Sequence, residues 1–291
     1  MDKKNDFLLE KHLEKLDKEL SKRFSSAVFA MPYVLSKYKK VFPYFTDHTI
    51  AHSMNVIEFC NKIIGEQINK MNADEAYVIL LAAYLHDTGM GISMKDYQEF
   101  APYIDYGDYF TNHSKDDVPN IIRAFHNEFS GLYIKKYANF FEFPSKEHLH
   151  AIVQIARGHR KTDLEDEKEY PIDFKVPNGN TICLPYLSAL VRLADEIDVT
   201  ASRNLLLDIT MEELTSEHDI LEFGRHEVVK ALEVNEKEFV MVVDTKNDKM
   251  LEEVNHLKEK MQHTLDVCRH AVNGVTPFEI KQESIIIKKI A

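Results

Sequence analysis

Cysteine is scarce and scattered in this chain. Cys60, Cys183 and Cys268 stand far apart and form no CxxC pair, which argues against a disulfide framework or a zinc ribbon. No apolar run approaches the roughly 18 residues that a membrane span requires. The charged, Lys-rich N-terminus also lacks the apolar segment of a signal peptide. These absences predict a soluble, cytoplasmic protein that makes no use of a membrane. Internal repeats and low-complexity segments are absent as well. Positive charge is in deficit: Lys and Arg total 36 against 48 Asp and Glu, for a formal net charge of −12. That balance makes long nucleic acid an unlikely partner, because non-specific binding depends on basic residues neutralising phosphates. A small phosphorylated ligand remains compatible with it, provided that basic residues are gathered locally.

Against these absences stand a length of 291 residues, a hydrophobic fraction of 44% and 14 histidines. The length suits one large domain, or one domain with an appendage. The dominant stretch runs from Ala76 to Gly91, where ten apolar residues end abruptly in His86-Asp87 and a Gly-bracketed turn. Asn72 followed by Glu75 supplies a helix start, and a helix apolar all round is buried on all sides. Its polar end is therefore delivered to the interior. An imidazole and a carboxylate buried together need a partner that offsets their desolvation, and a divalent metal ion is one.

The remaining segments place more ligand-type side chains on inward faces. Residues 1–40, with Leu9, Leu13, Leu16 and Leu20 at helical spacing, form an amphipathic helical extension packed on the body or on a second subunit. A second helix, capped by Thr46 or Asp47, carries His52, Val56, Phe59 and Ile63 on one stripe, with His48 one turn earlier. From Ser93 to Pro119 a Tyr- and acid-rich stretch interrupts the pattern and is expected to form either a lid or one wall of a pocket, or a solvated insertion or subunit contact. Helices from Val118 and from Ser145 then turn His126 and His159 inward. Arg157 and Arg160 flank the latter. Asn178-Gly179 marks a small hairpin, and a helix starting at Pro185 holds Asp195 in its apolar middle, two turns before Arg203. Beyond Asn204, strands at 221–234, 238–243 and 278–288 and a helix at 248–272 predict a small α+β appendage in β-β-α-β order. The fold class is thus mainly α, with a helical body at 41–210 and the appendage at 211–291.

His52, His86, Asp87 and Asp195, in the segments AHSMNV, LLAAYLHDTGM and LVRLADEID, reproduce the H…HD…D order of the HD-domain superfamily of metal-dependent phosphohydrolases, and the chain resembles that superfamily over residues 41–210. The resemblance implies an HD helical bundle with these four residues as metal ligands. In two-metal relatives, histidines between the HD pair and the last Asp supply a second site. The segments HNEFSGLYI and ARGHR look like those positions. His126 and His159 are thereby expected either to bind a second ion, with Asp87 bridging, or to donate to substrate phosphate around a single ion; in both readings Asp87, His126 and His159 are the catalytic candidates. Such ligands suit Mn, Fe, Zn, Ni or Co better than Mg. Arg157, Arg160 and Arg203 are the candidates for phosphate contact.

Many HD proteins carry a Lys after the HD-x-G turn, where this chain has Met90. That departure puts in doubt the subgroups that depend on the lysine, such as the cyclic dinucleotide phosphodiesterases. The combined motifs look most like a bacterial subgroup encoded near, or fused to, chaperone-like ATPase domains, and this implies such an ATPase as a partner. The expected activity is metal-dependent hydrolysis of a nucleotide or related phosphate ester, in a homodimer. The alternatives are a ligand-sensing module with little catalysis and a di-iron oxygenase.

Overall fold

The computed structural model describes residues 7–43, 45–203 and 217–290. Helices α1 (Leu8–Leu16), α2 (Lys18–Val28) and α3 (Met31–Ser36) lead into α4 (Ile50–Ile64) and the central α5 (Ala73–Leu85). After α5 come a 3-10 turn (Thr88–Gly91), α6 (Met94–Phe100), α7 (Val118–Lys136), α8 (Ala138–Phe141), α9 (Lys146–Gly158), the ribbon β1 (Phe174–Lys175) and β2 (Thr181–Ile182), and α10 (Leu184–Glu196). The C-terminal segment comprises α11 (Glu217–Val228), β3 (Val229–Val234), β4 (Glu238–Val243), α12 (Asp248–Val272) and β5 (Ser284–Lys289). Its sheet runs β3-β4-β5, antiparallel for the first pair and parallel for the second, as a helical crossover through α12 allows. The protein is mainly α with a small C-terminal sheet.

The apolar run becomes α5, and every residue from Asp74 to Leu85 is buried because α1, α2, α4, α9 and α10 surround it. Asn72 and Glu75 form the full capping box at its start. Glu75 also accepts the Cys183 N–H, and Asp74 is met by His148 at 2.8 Å, Asn178 at 2.9 Å and Asn180 at 2.7 Å. Burial alone would raise the Asp74 carboxyl, but these three partners outweigh it and hold it down to about 2. The polar start of the helix is thereby satisfied, and the hairpin around Asn178-Gly179 is pinned to it.

Several expectations change. The N-terminal extension is broken at Asp17, which leaves the helix at φ −150° and caps α2 by accepting the Glu19 and Leu20 N–H groups. Leu9, Leu13 and Leu20 are buried, whereas Leu16, displaced by the break, is 47% exposed. The cap of α4 is Thr49. Asp47 instead accepts the Thr49 N–H and hydroxyl one step earlier. Residues Leu221–Val228 are helical rather than strand, so the described C-terminal order is α-β-β-α-β, and part of the predicted 211–291 unit lies outside the described residues. The predicted boundary at 210/211 does not mark a gap in packing. Helix α12 lies along α10, Cys268 Sγ donates to Ala189 O, and Phe278 stacks on Tyr186 with ring centroids 4.2 Å apart. The stretch 93–119 packs Tyr106 and Tyr109 on Phe125 and walls a separate surface concavity with Phe125 and Lys161.

Candidate metal centre

Three of the inward histidines sit where a helix ladder stops. His86 caps α5, His159 caps α9, and His126 follows Phe125, whose φ of −123° and ψ of 20° kink α7. A stopped ladder frees the carbonyl three residues back, and each ring uses it: His86 Nδ1 lies 2.8 Å from Ala83 O, His126 Nδ1 2.8 Å from Arg123 O, and His159 Nδ1 2.5 Å from Ala156 O. His52, in the first turn of α4, has no such carbonyl and places Nδ1 2.7 Å from Asp198 Oδ2. Carbonyls and carboxylates only accept, so all four rings donate from Nδ1 and turn Nε2 toward one point.

That point is Asp87, which is 4% exposed. Its two oxygens divide between the histidines. Oδ2 is 3.1 Å from His86 Nε2 and 3.4 Å from His52 Nε2, while Oδ1 is 3.3 Å from His126 Nε2 and 3.8 Å from His159 Nε2. Asp195 Oδ1 completes the first group at 3.1 Å from His52 Nε2. Asp195 is the penultimate residue of α10 rather than central in it, and its side chain is 23% exposed. The ligand-type atoms fall into two overlapping sets, His52, His86 and Asp87, and Asp87, His126 and His159.

The chemistry of this donor set fits cations. His52 and His86 Nε2 stand 3.3 Å apart, and His126 and His159 Nε2 stand 2.9 Å apart. Two imidazole lone pairs cannot face each other in a buried site unless a proton or a metal ion lies between them. Asp87 Oδ2, moreover, has no hydrogen-bond partner although it is buried. Burial and Arg203 push the His52 ring toward the neutral form, yet Asp195, Asp198 and Asp87 outweigh them and hold its pKa well above the usual imidazole range. Burial acts against the charged form of His86 too, and Asp87 and Asp195 raise it. Asp87 and Asp195 are driven well below the carboxylate range: His86 outweighs burial at the first, and His52 does so at the second. His159 lies well below the imidazole range through burial and its neighbours His126 and His86. The site thus holds ionised carboxylates and imidazoles that a divalent ion would find deprotonated or could deprotonate.

A cavity of about 170 Å³ opens beside Asp87 and Asp195. Arg160 lines it, with Nη1 3.4 Å from His126 Nδ1, whose hydrogen already goes to Arg123 O. Arg203 also lines it, and its guanidinium is tied to Asp47 O at 2.6 Å and Asp198 O at 3.3 Å. Arg157 does not join the site. Glu128 grips it at 2.8 and 3.1 Å, and Gln154 and Glu169 take its remaining arm, so it buttresses α7 against α9. The 93–119 stretch contributes no cavity wall either. Met90, buried at 1% exposed, lines the cavity.

Sequence reasoning missed Asp198, Arg123, Arg225, His226 and Lys260. Asp198 was legible as the carboxylate one turn after Asp195. The others come from a kinked turn and from the C-terminal segment, where no local pattern marks them. His48 is half-buried, donates Nδ1–H to Thr46 O at 2.7 Å, and lies 3.4 Å from Arg203 Nη2.

Among known proteins, the model of a family described as HD-CE matches residues 42–267, a span that crosses the predicted 210/211 boundary. No curated protein and no solved structure matches the chain.

Proposed function

The chain belongs to the HD-CE family, a family of HD-domain proteins, and from that premise we propose that it is a metal-dependent phosphohydrolase acting on a phosphate ester of the nucleotide class. The observation that carries this is the convergence of four Nδ1-anchored imidazoles on the two oxygens of one buried carboxylate. His52, His86, Asp195 and Asp87 Oδ2 would hold one ion, and His126, His159 and Asp87 Oδ1 a second, which favours the bridging role of Asp87. Mn, Fe, Ni, Co or Zn suits this imidazole-rich set. Such an ion supplies Lewis acidity and lowers the pKa of water that it binds.

The chain's own residues do the rest. Asp198 and the three backbone carbonyls hold the imidazoles in the tautomer that leaves Nε2 open. Arg160, with no carboxylate on its guanidinium among the described residues, is placed to contact phosphoryl oxygens and to stabilise the charge that develops on them. Buried walls around Asp87 exclude bulk water and strengthen these electrostatic effects.

The test is metal analysis followed by a phosphate-release screen of nucleotides and simple esters with Mn, Ni, Fe and Mg. Release is expected with a transition metal, falling about a hundredfold or more in His86→Ala. No bound metal and no release with any ion would sink the reading. Iron with a mixed-valence spectroscopic signal and no phosphate release would instead point to di-iron oxidation, and a nucleotide retained intact for hours would point to sensing.

A further inference from the structure

The sequence holds eight arginines, and four of them, Arg123, Arg160, Arg203 and Arg225, line the one cavity beside Asp87 and Asp195, joined there by Lys260. The same walls carry the carboxylates Asp87, Asp195, Glu196 and Asp198. In a protein of net charge −12 this is a local reversal of sign. The walls are cationic by a small margin by themselves, and strongly so once the histidine cluster holds one or two divalent ions. A lone phosphate monoester, a dianion at most, would leave much of that charge unmatched.

The cations differ in origin. Arg123 lies one turn before His126 and Arg160 directly follows His159, so both belong to the elements that carry the ligands. Arg225 and Lys260 come from α11 and α12, the C-terminal segment that adds a further wall. That wall is seated on the rest. Lys260 Nζ lies 2.8 Å from Glu196 Oε1, next to Asp195 in sequence, and His226 Nδ1 donates to Val199 O at 2.8 Å. His226 stays neutral, its pKa lowered to about 3 by burial and by Arg203 and Arg225, so it adds no charge of its own there. An ammonium has three donors, and Glu196 engages one of Lys260's, which orients the group while leaving two for an anion. The cavity, at about 170 Å³, is smaller than the roughly 300–1,000 Å³ of pockets that enclose a whole drug-sized ligand. It therefore takes in the phosphate-bearing end of a substrate and leaves the remainder outside.

We propose that Arg225 and Lys260, beside Arg203, form a second anion subsite, and that the substrate carries a further phosphate group next to the phosphoryl group attacked at the metal centre. The hydrolytic step rests on the phosphohydrolase reading; the subsite itself is a binding property. Metal-free full-length protein is titrated calorimetrically with inorganic phosphate and with pyrophosphate at one ionic strength. Wild type is expected to bind pyrophosphate about tenfold or more tightly than phosphate. Arg225→Ala and Lys260→Ala each narrow that gap, the double variant closes it to about twofold, and Arg225→Lys, which keeps the charge, retains part of it. Thermal melts that match wild type in all of them separate a lost subsite from a damaged fold. Equal affinity for the two anions in wild type, or an undiminished gap in the double variant, overturns the proposal. A protein that binds pyrophosphate in this way but releases phosphate from no ester keeps the subsite and loses the hydrolytic reading. A hydrolase indifferent to the second phosphate does the reverse.

Discussion

At the scale of the residue, four imidazoles whose Nδ1–H groups are already given away can accept a cation only at Nε2, and a proton competes for the same lone pairs. The folded protein holds protons on His52 and His86 above the usual imidazole range, because the carboxylates outweigh burial. The sign follows. Metal binding must release those protons, so affinity falls as pH drops through the raised values of His52 and His86. Without metal, the same groups contribute stability below their unfolded pKa and lose it as pH rises through the raised folded values. Calorimetric metal titrations in buffers of different ionisation enthalpy would measure the proton release. In the same assay Asp198→Asn, which weakens the hold on His52 Nδ1, is expected to lower metal affinity about 10- to 100-fold. Unchanged affinity in that variant would remove Asp198 from the orienting role that its 2.7 Å contact suggests.

Elements act here by locking turns against one another. The turn after His86-Asp87 meets α7 through Ser130, whose hydroxyl donates to His86 O and accepts the Gly89 N–H at 2.8 Å. A Cβ at Gly89 would collide with His126 O and approach Ser130 N to 2.7 Å, so only glycine lets the turn and the kinked helix come this close. A second lock holds the turn after α9. Arg192 Nε donates to Gly158 O at 2.7 Å and Nη2 to Thr162 O at 2.8 Å, spanning the residues that carry His159 and Arg160. A Cβ on Gly158 would stand 2.6 Å from Ser188 Cβ. Both locks set the separation of the two ligand groups. Gly89→Ala is expected to cost about 1–3 kcal/mol of stability and to lower metal content more than a core substitution of equal cost placed on α12. Thermal melts paired with metal analysis check this, and normal metal content at a lowered melting temperature would refute the lock.

The whole molecule closes the site with parts distant in the chain. Helix α12 covers α10, and the C-terminal wall brings Arg225, His226 and Lys260 to a cavity whose candidate metal ligands all precede residue 196. A chain ended at residue 210 would bare the α10 surface that Phe278 and Cys268 cover and would lose those cations. Such a fragment is expected to aggregate. A soluble, monodisperse 1–210 fragment on size exclusion would show the helical body to be independent of the C-terminal segment. Among the described residues no helix is long and apolar enough to cross a membrane.

The sequence by itself determined most of the elements and the candidate ligand residues. The apolar run ending in His86-Asp87, the stripes through His52, His126 and His159, and Asp195 on its helix were all legible, because helical period and capping act over a few residues. Local pattern also misled where one residue could tip the balance, as at Asp17, or where a helix runs directly into a strand, as at 221–228 before Val229. Only the tertiary structure decided which arginines face the cavity. Arg157 and Arg160 are three residues apart, yet Glu128 claims the first and leaves the second to the site. Nor could sequence spacing show that the two oxygens of Asp87 divide four histidines into pairs, because that depends on side chains from different helices converging in one dry, charged volume.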